Sequence, residues 1–194
     1  MRIAVVGAGA IGGYLGARLA LAGEQVSFIA RRRNLQAIVA DGLRLIEEDG
    51  RERHADAVRA FERPADAGPQ DFVLLTVKAH QVPDLLPDLR ALFGPGTAVV
   101  TMINGVPWWY FHKLAGAHEG RRLESVDPGG AIAAHIEPER VIGSVVYPAA
   151  ELLAPGRVKV VEGNRFTLGE PDGSRSARVE ALAQSMMKAG FKAP

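Results

Sequence analysis

The chain contains no cysteine. That absence excludes disulfides, thiolate metal sites and a cysteine nucleophile, and it suits a reducing cytoplasm better than a secreted setting. An excess of one charge is missing too. With 23 Lys and Arg against 22 Asp and Glu, no overall field draws nucleic acid or an anionic membrane surface, so charge acts only locally. There is no internal repeat, low-complexity tract or long linker. The one apolar run that resembles a membrane span or signal peptide, Ile3 to Ala22, is interrupted by Arg18 and weakened as a helix by its glycines, and Arg2 alone is a thin basic flank. What remains is a globular chain of 194 residues, 47% of them hydrophobic, enough to build a substantial core.

The order of elements narrows the class. RIAVV (2–6) is a β-branched run ending at glycine, GGYLGARLALA (12–22) carries apolar residues at helical spacing, and QVSFIA (25–30) is a second strand. Strand, glycine turn, helix and strand within some thirty residues predict a right-handed βαβ unit with parallel strands. NLQAIVADG then reads as a helix closed by Gly42, and the stretch around Asp49-Gly50 as a hairpin decorating the sheet. DFVLLTVKA (71–79) and TAVVTMINGV (97–106) are continuous apolar runs, the pattern of strands buried on both faces. Between them, Leu85, Leu86, Leu89 and Leu92 mark a helix broken by Pro83 and Pro87. VIGSVVYPAA (141–150), RVKVVEG (157–163) and RFTLGEP (165–171) predict further strands, and SARVEALAQSMMKAG a closing amphipathic helix ending at Gly190.

The chemistry-bearing residues follow strand ends. Gly7, Gly9 and Gly12 in Gly7-Ala8-Gly9-Ala10-Ile11-Gly12 form GxGxxG between a strand and a helix. Such glycines allow a tight turn, backbone approach to a pyrophosphate and close helix packing, with free helix N–H groups facing the phosphates. At the tip of the next strand, an NAD-selecting site places a carboxylate on the ribose hydroxyls. Here Arg31 occupies that position, with Arg32 and Arg33 behind it. A guanidinium there suits a 2′-phosphate, so the expected cofactor is NADPH/NADP, with Arg33 more simply a solvated residue. Lys78 and Asn104 stand at the ends of the next two strands and are expected to face one crevice, the first to attract an anionic group or polarise a carbonyl, the second to orient it. Each also has a plainer reading as strand-end punctuation. His80 and His112 are the imidazoles expected near the cleft, and no metal is called for.

The glycine motif, Arg31, VKAHQ around Lys78 and NGV around Asn104 together resemble the ketopantoate reductase family, the 2-dehydropantoate 2-reductases, over essentially the whole chain. The resemblance implies an α/β, Rossmann-type doubly wound, mainly parallel sheet over residues 1–190 that binds NADPH, followed by a helical domain that closes over a 2-oxo acid. It implies that Gly7 to Gly12, Arg31 and the backbone of Ala149 contact cofactor, and that Lys78 and Asn104 lie near nicotinamide and substrate, in a soluble cytoplasmic enzyme or homodimer. The family's proton-donating lysine is expected beyond AGFKAP. Phe191 then reads as an exposed hydrophobe, and 191–194 as the start of a linker to that domain. The expectation is a chain that binds cofactor but reduces a ketone poorly, since a missing proton donor costs roughly 10²–10⁴ in rate. Trp108, Trp109 and Tyr110 either wall a pocket for a bulkier 2-oxo acid or pack beneath the second domain. Two rivals share the glycine motif: a 3-hydroxyacid or glycerol-phosphate type of dehydrogenase, and a noncatalytic NADP(H)-sensing module.

Overall fold

The computed structural model describes residues 1–194. The chain begins with the predicted unit: strand β1 (Arg2–Val6), helix α1 (Ala10–Leu21) and strand β2 (Gln25–Ile29). Helix α2 (Arg32–Asp41) ends at Gly42, followed by a hairpin of β3 (Leu43–Ile46) and β4 (Glu52–Ala55). Strand β5 (Arg59–Phe61), the single turn α3 (Pro64–Ala67) and strand β6 (Gln70–Leu75) come next. The proline-interrupted stretch is a chain of 3-10 turns around α4 (Leu86–Leu89), leading into β7 (Phe93–Thr101). An irregular segment carries α5 (Ala131–His135), whose first turn is capped by the fully buried carboxylate of Asp127, accepting from the backbone N–H groups of Ile132 and Ala133. Then come β8 (Val141–Val146), β9 (Ala149–Ala154), β10 (Arg157–Glu162), β11 (Phe166–Gly169) and the closing helix α6 (Ala177–Lys188).

Seven strands form the main sheet in the order β11-β8-β7-β6-β1-β2-β5. All its pairs are parallel except β11 with β8. Alternate residues feed two cores: Ile3, Val5 and Leu74 point to one face, while Ala4, Val6 and Leu75 point to the other. Burial on both faces explains why these strands read as unbroken apolar runs. No helix is long and apolar enough to cross a membrane.

The hairpin is more than a decoration. β3 pairs in parallel with β10, making a second sheet of order β4-β3-β10-β9. Helix α1 lies between the two sheets. A Cβ on Gly16 would meet the Phe28 ring at 2.2 Å, and one on Gly13 would meet the Val158 side chain at 2.6 Å, so the two glycines let the helix approach a strand of each sheet closely. The expected strand over 141–150 is two strands, separated at Tyr147-Pro148, where the chain passes from the main sheet to the second.

The end of the chain also departs from expectation. Phe191 is buried at 3% exposure, its ring 5.1 Å from Tyr14 and 5.2 Å from Phe166 in edge-on contact. The Phe166 N–H donates to Lys192 O and the Leu168 N–H to Pro194 O, so residues 191–194 run along β11 as an added strand-like edge.

Candidate functional site

The strand order reverses at β1, with β2 on one side and β6 on the other. Parallel strands leave a crevice at such a switch point. A cleft of about 710 Å³ opens there, within the size range of ligand sites. Its walls bring together the glycine turn after β1, Arg31 after β2, Lys78 after β6 and Asn104 after β7. Four strand ends that are dispersed in sequence thus meet in one place.

The glycine turn is held by named contacts. The Gly7 N–H donates to Ile29 O at 3.0 Å, and Gly7 adopts φ +105°, a conformation an L side chain resists. The Thr76 hydroxyl lies 2.7 Å from Gly7 O and donates to it, in the space that a Cβ on Gly12 would invade at 2.4 Å from that hydroxyl and 2.0 Å from the same carbonyl. From α2, the Asn34 amide donates to Ala8 O at 2.9 Å. The N-terminus of α1 carries no side-chain cap and no acidic residue in its first turn, leaving its backbone donors for an anion. A Cβ on Gly9 would meet nothing within 4 Å, so open space lies where a pyrophosphate would approach. The residues present therefore fit a dinucleotide.

The charged and polar groups around this cradle are arranged unevenly. Arg31 is exposed, precedes α2 and forms no salt bridge; Arg32, immediately after it, sits in left-handed backbone at φ +53° and does not line the cleft. Lys78 is exposed and free of ion pairs, while its backbone N–H donates to Gln81 Oε1 at 3.0 Å. Asp84 is the one carboxylate on the wall. Asn104 is tied to the end of β8 in both directions: its amide donates to Val146 O at 3.2 Å and its carbonyl accepts from the Val146 N–H at 3.3 Å. One amide proton and one lone pair stay free.

Other residues singled out from the sequence lie outside the walls of the cleft. Ala149 does not line the cleft; it opens β9 opposite Glu162 in the second sheet. Neither His80 nor His112 lines it, His80 being exposed on the turn after Lys78. The aromatic trio separates: Trp108 is buried, Trp109 packs against Gly143, and Tyr110 is about half exposed. Thr76, Asn34 and Gln81 line the site but were not singled out from sequence. Thr76 lies within the apolar run DFVLLTVKA (71–79), yet its contact with Gly7 spans 69 positions. A second concavity of about 800 Å³, between the β3–β4 hairpin and the chain's end, carries charges that satisfy one another, Arg18 with Glu47 and Arg51 with Asp49.

Fold and site together define a Rossmann-type dinucleotide-binding protein of the nicotinamide-using class. The chain belongs to the ketopantoate reductase family: the family described as Ketopantoate reductase PanE/ApbA matches residues 3–173. A 2-dehydropantoate 2-reductase of Mesorhizobium japonicum is 57% identical over 195 residues, spanning 100% of this chain and 59% of that protein. A solved Ralstonia solanacearum MolK2 structure described as a ketopantoate reductase superimposes with TM-score 0.93 at 45% identity, covering 99% of this chain and 59% of that one. A ternary structure of D-mandelate dehydrogenase with NADH and anilino(oxo)acetate gives TM-score 0.78 at 25% identity, over 100% of this chain and 56% of that one. The chain thus spans somewhat over half the length of the relatives it matches.

Proposed function

We propose that this chain forms the NADP(H)-binding part of an enzyme that reduces a 2-oxo acid to the 2-hydroxy acid. The observation that carries the reading is Arg31, an unpaired guanidinium at the tip of β2 in the same cleft as the uncapped N-terminus of α1. In this reading, backbone donors of Gly9 to Gly12 hold the pyrophosphate and Arg31 pairs with the 2′-phosphate in the geometry guanidinium favours. The bound nicotinamide supplies the hydride. Lys78 places positive charge near the ketone oxygen, stabilising the alkoxide as it develops. Asn104, fixed through Val146, spends its free amide proton on orienting the substrate. The proton itself comes from a lysine on a helical domain, in the part of the relatives' length that this chain does not span.

The test is a paired titration with NADPH and NADH on wild type and Arg31→Ala, followed by cofactor fluorescence. The expected result is tighter binding of NADPH and collapse of that preference in the variant, a change of about tenfold or more for losing a charge-assisted pair. Equal affinity of both nucleotides for the wild type would contradict it.

A further inference from the structure

The chain is firmly fastened to the end of β2 and loosely fastened just beyond it. The Ala30 N–H donates to Phe61 O at 3.0 Å. Arg31, Arg32 and Arg33 follow, all exposed. Arg31 stands at the start of α2 without a side-chain cap bond, and the bond from the Leu35 N–H back to Arg31 O is long at 3.4 Å. Of the ten residues of α2 only Ile38 is buried. Arg32 sits at φ +53°, left-handed backbone that a non-glycine residue keeps only where its surroundings hold it. One side chain supplies such a hold. The Asn34 amide, in the first turn of α2, donates to Ala8 O at 2.9 Å across 26 positions, and no backbone N–H reaches that carbonyl. Only the NH2 end of an amide can meet a carbonyl, so this contact also fixes which way the side chain faces.

Resting on the function proposed above, we propose that Asn34 is a positioning residue for cofactor selection: by tying the first turn of α2 to the glycine turn, it sets Arg31 at one distance from the pyrophosphate cradle. The two ends of the bond belong to the two halves of the nucleotide site. Ala8 lies between Gly7 and Gly9 in the turn offered to the pyrophosphate, and Asn34 lies one helical turn beyond Arg31, the group offered to the 2′-phosphate; all five residues line the same cleft. In NADPH a single ribose separates the 2′-phosphate from the pyrophosphate arm, so the ligand meets both protein groups only when their spacing matches its own. A site held at that spacing before binding loses less freedom on binding than one whose Arg31 segment is free to wander. NADH has no group for Arg31 and gains nothing from the spacing. The tie therefore acts on the choice between the two nucleotides, and it acts through Arg31 and the turn, not through a contact of Asn34 with the 2′-phosphate.

Three ligands separate the possible roles: NADPH spans both halves of the site, NADH lacks the 2′-phosphate, and 2′-AMP lacks the pyrophosphate. Their affinities are measured calorimetrically on wild type, Asn34→Ala, Asn34→Ser, Arg31→Ala and the double variant of Arg31→Ala with Asn34→Ala. Alanine and serine are both accepted in a helix and both are too short to bond Ala8 O as asparagine does, so the test does not hang on one variant. In either Asn34 variant, NADPH affinity is expected to fall about tenfold and NADH affinity about threefold or less, the range for losing one hydrogen bond, while 2′-AMP binds as it does wild type. With Arg31 already replaced, Asn34→Ala should weaken NADPH no more than it weakens NADH, the non-additivity of a residue that acts through another. Equal losses of NADPH and NADH would make Asn34 a support of the turn alone, and loss of 2′-AMP in step with NADPH a support of Arg31 alone. Either result overturns the proposal, as do additive effects in the double variant. Equal affinity of the wild type for NADPH and NADH sinks the underlying function, whereas a wild-type preference for NADPH that survives in both Asn34 variants sinks the positioning role alone.

Discussion

At the glycine turn, a hydroxyl and a missing methyl occupy adjacent space. Thr76 Oγ1 reaches Gly7 O at 2.7 Å only because Gly12 has no Cβ. Thr76→Val keeps the shape and strands that carbonyl, at a cost of about 1–3 kcal/mol if no water replaces the donor. NADPH affinity is therefore expected to fall about tenfold in Thr76→Val and to be restored in Thr76→Ser, while 2′-AMP, which has no pyrophosphate, binds the valine variant as it does wild type. Equal weakening of both ligands would mean that the hydroxyl supports the whole site and not the turn. Gly12→Ala puts a methyl against backbone that cannot yield, and loss of NADPH binding by titration is the expected outcome. The glycines and Arg31 were legible because their spacing within one βαβ unit carries the geometry. Thr76 and Asn34 were not, because each acts on a carbonyl that only the folded chain brings near.

At the scale of elements, the strands of the main sheet were readable from their apolar runs, since burial on both faces leaves a continuous signature. The second sheet was not. Its central pair joins Arg44 to Arg157, strands separated by more than a hundred positions, and a parallel partner at that distance leaves no local mark such as a hairpin turn. The segment from Pro107 to Arg140 is a mixture of turns, bends and short helical pieces and lacks a periodic pattern, which is why the fate of Trp108 stayed open. Helix α6 is tied to β8 and the end of β11 through Arg178, which donates to Val141 O and to both oxygens of Glu170. Those bonds hold the Glu170 carboxyl below the usual glutamate range despite its burial. A lowered folded value means that the charged form stabilises the fold above the ordinary pKa of about 4.3, and that this contribution fades as pH falls through the lowered value. Urea midpoints of wild type and Glu170→Gln should differ at neutral pH and converge as pH drops below about 4. A gap that is constant with pH would remove the carboxylate from the account.

Over the whole molecule, one helix couples the nucleotide cradle to the second sheet and the chain's end. Tyr14 on α1 packs edge-on to Phe191 and donates to Gly163 O at 3.2 Å. Burial pushes its phenol up to about 12, with Arg18 opposing and Glu47 and Glu48 adding to the rise. A raised pKa means that the neutral phenol stabilises the fold fully below about pH 10, and that this is lost as pH climbs toward 12. Alkaline unfolding followed by circular dichroism should therefore steepen between these values in wild type and flatten in Tyr14→Phe. The same contact explains why Phe191 looked exposed in sequence: its partners lie 177 and 25 positions away.

The most direct measurement is the structure of the complex with NADPH. The account predicts the 2′-phosphate within hydrogen-bond distance of Arg31, the pyrophosphate over Gly9 at the start of α1, and the nicotinamide between Lys78 and Asn104. A nucleotide lying in the charged concavity beside the β3–β4 hairpin, or one whose 2′-phosphate faces away from Arg31, would contradict it.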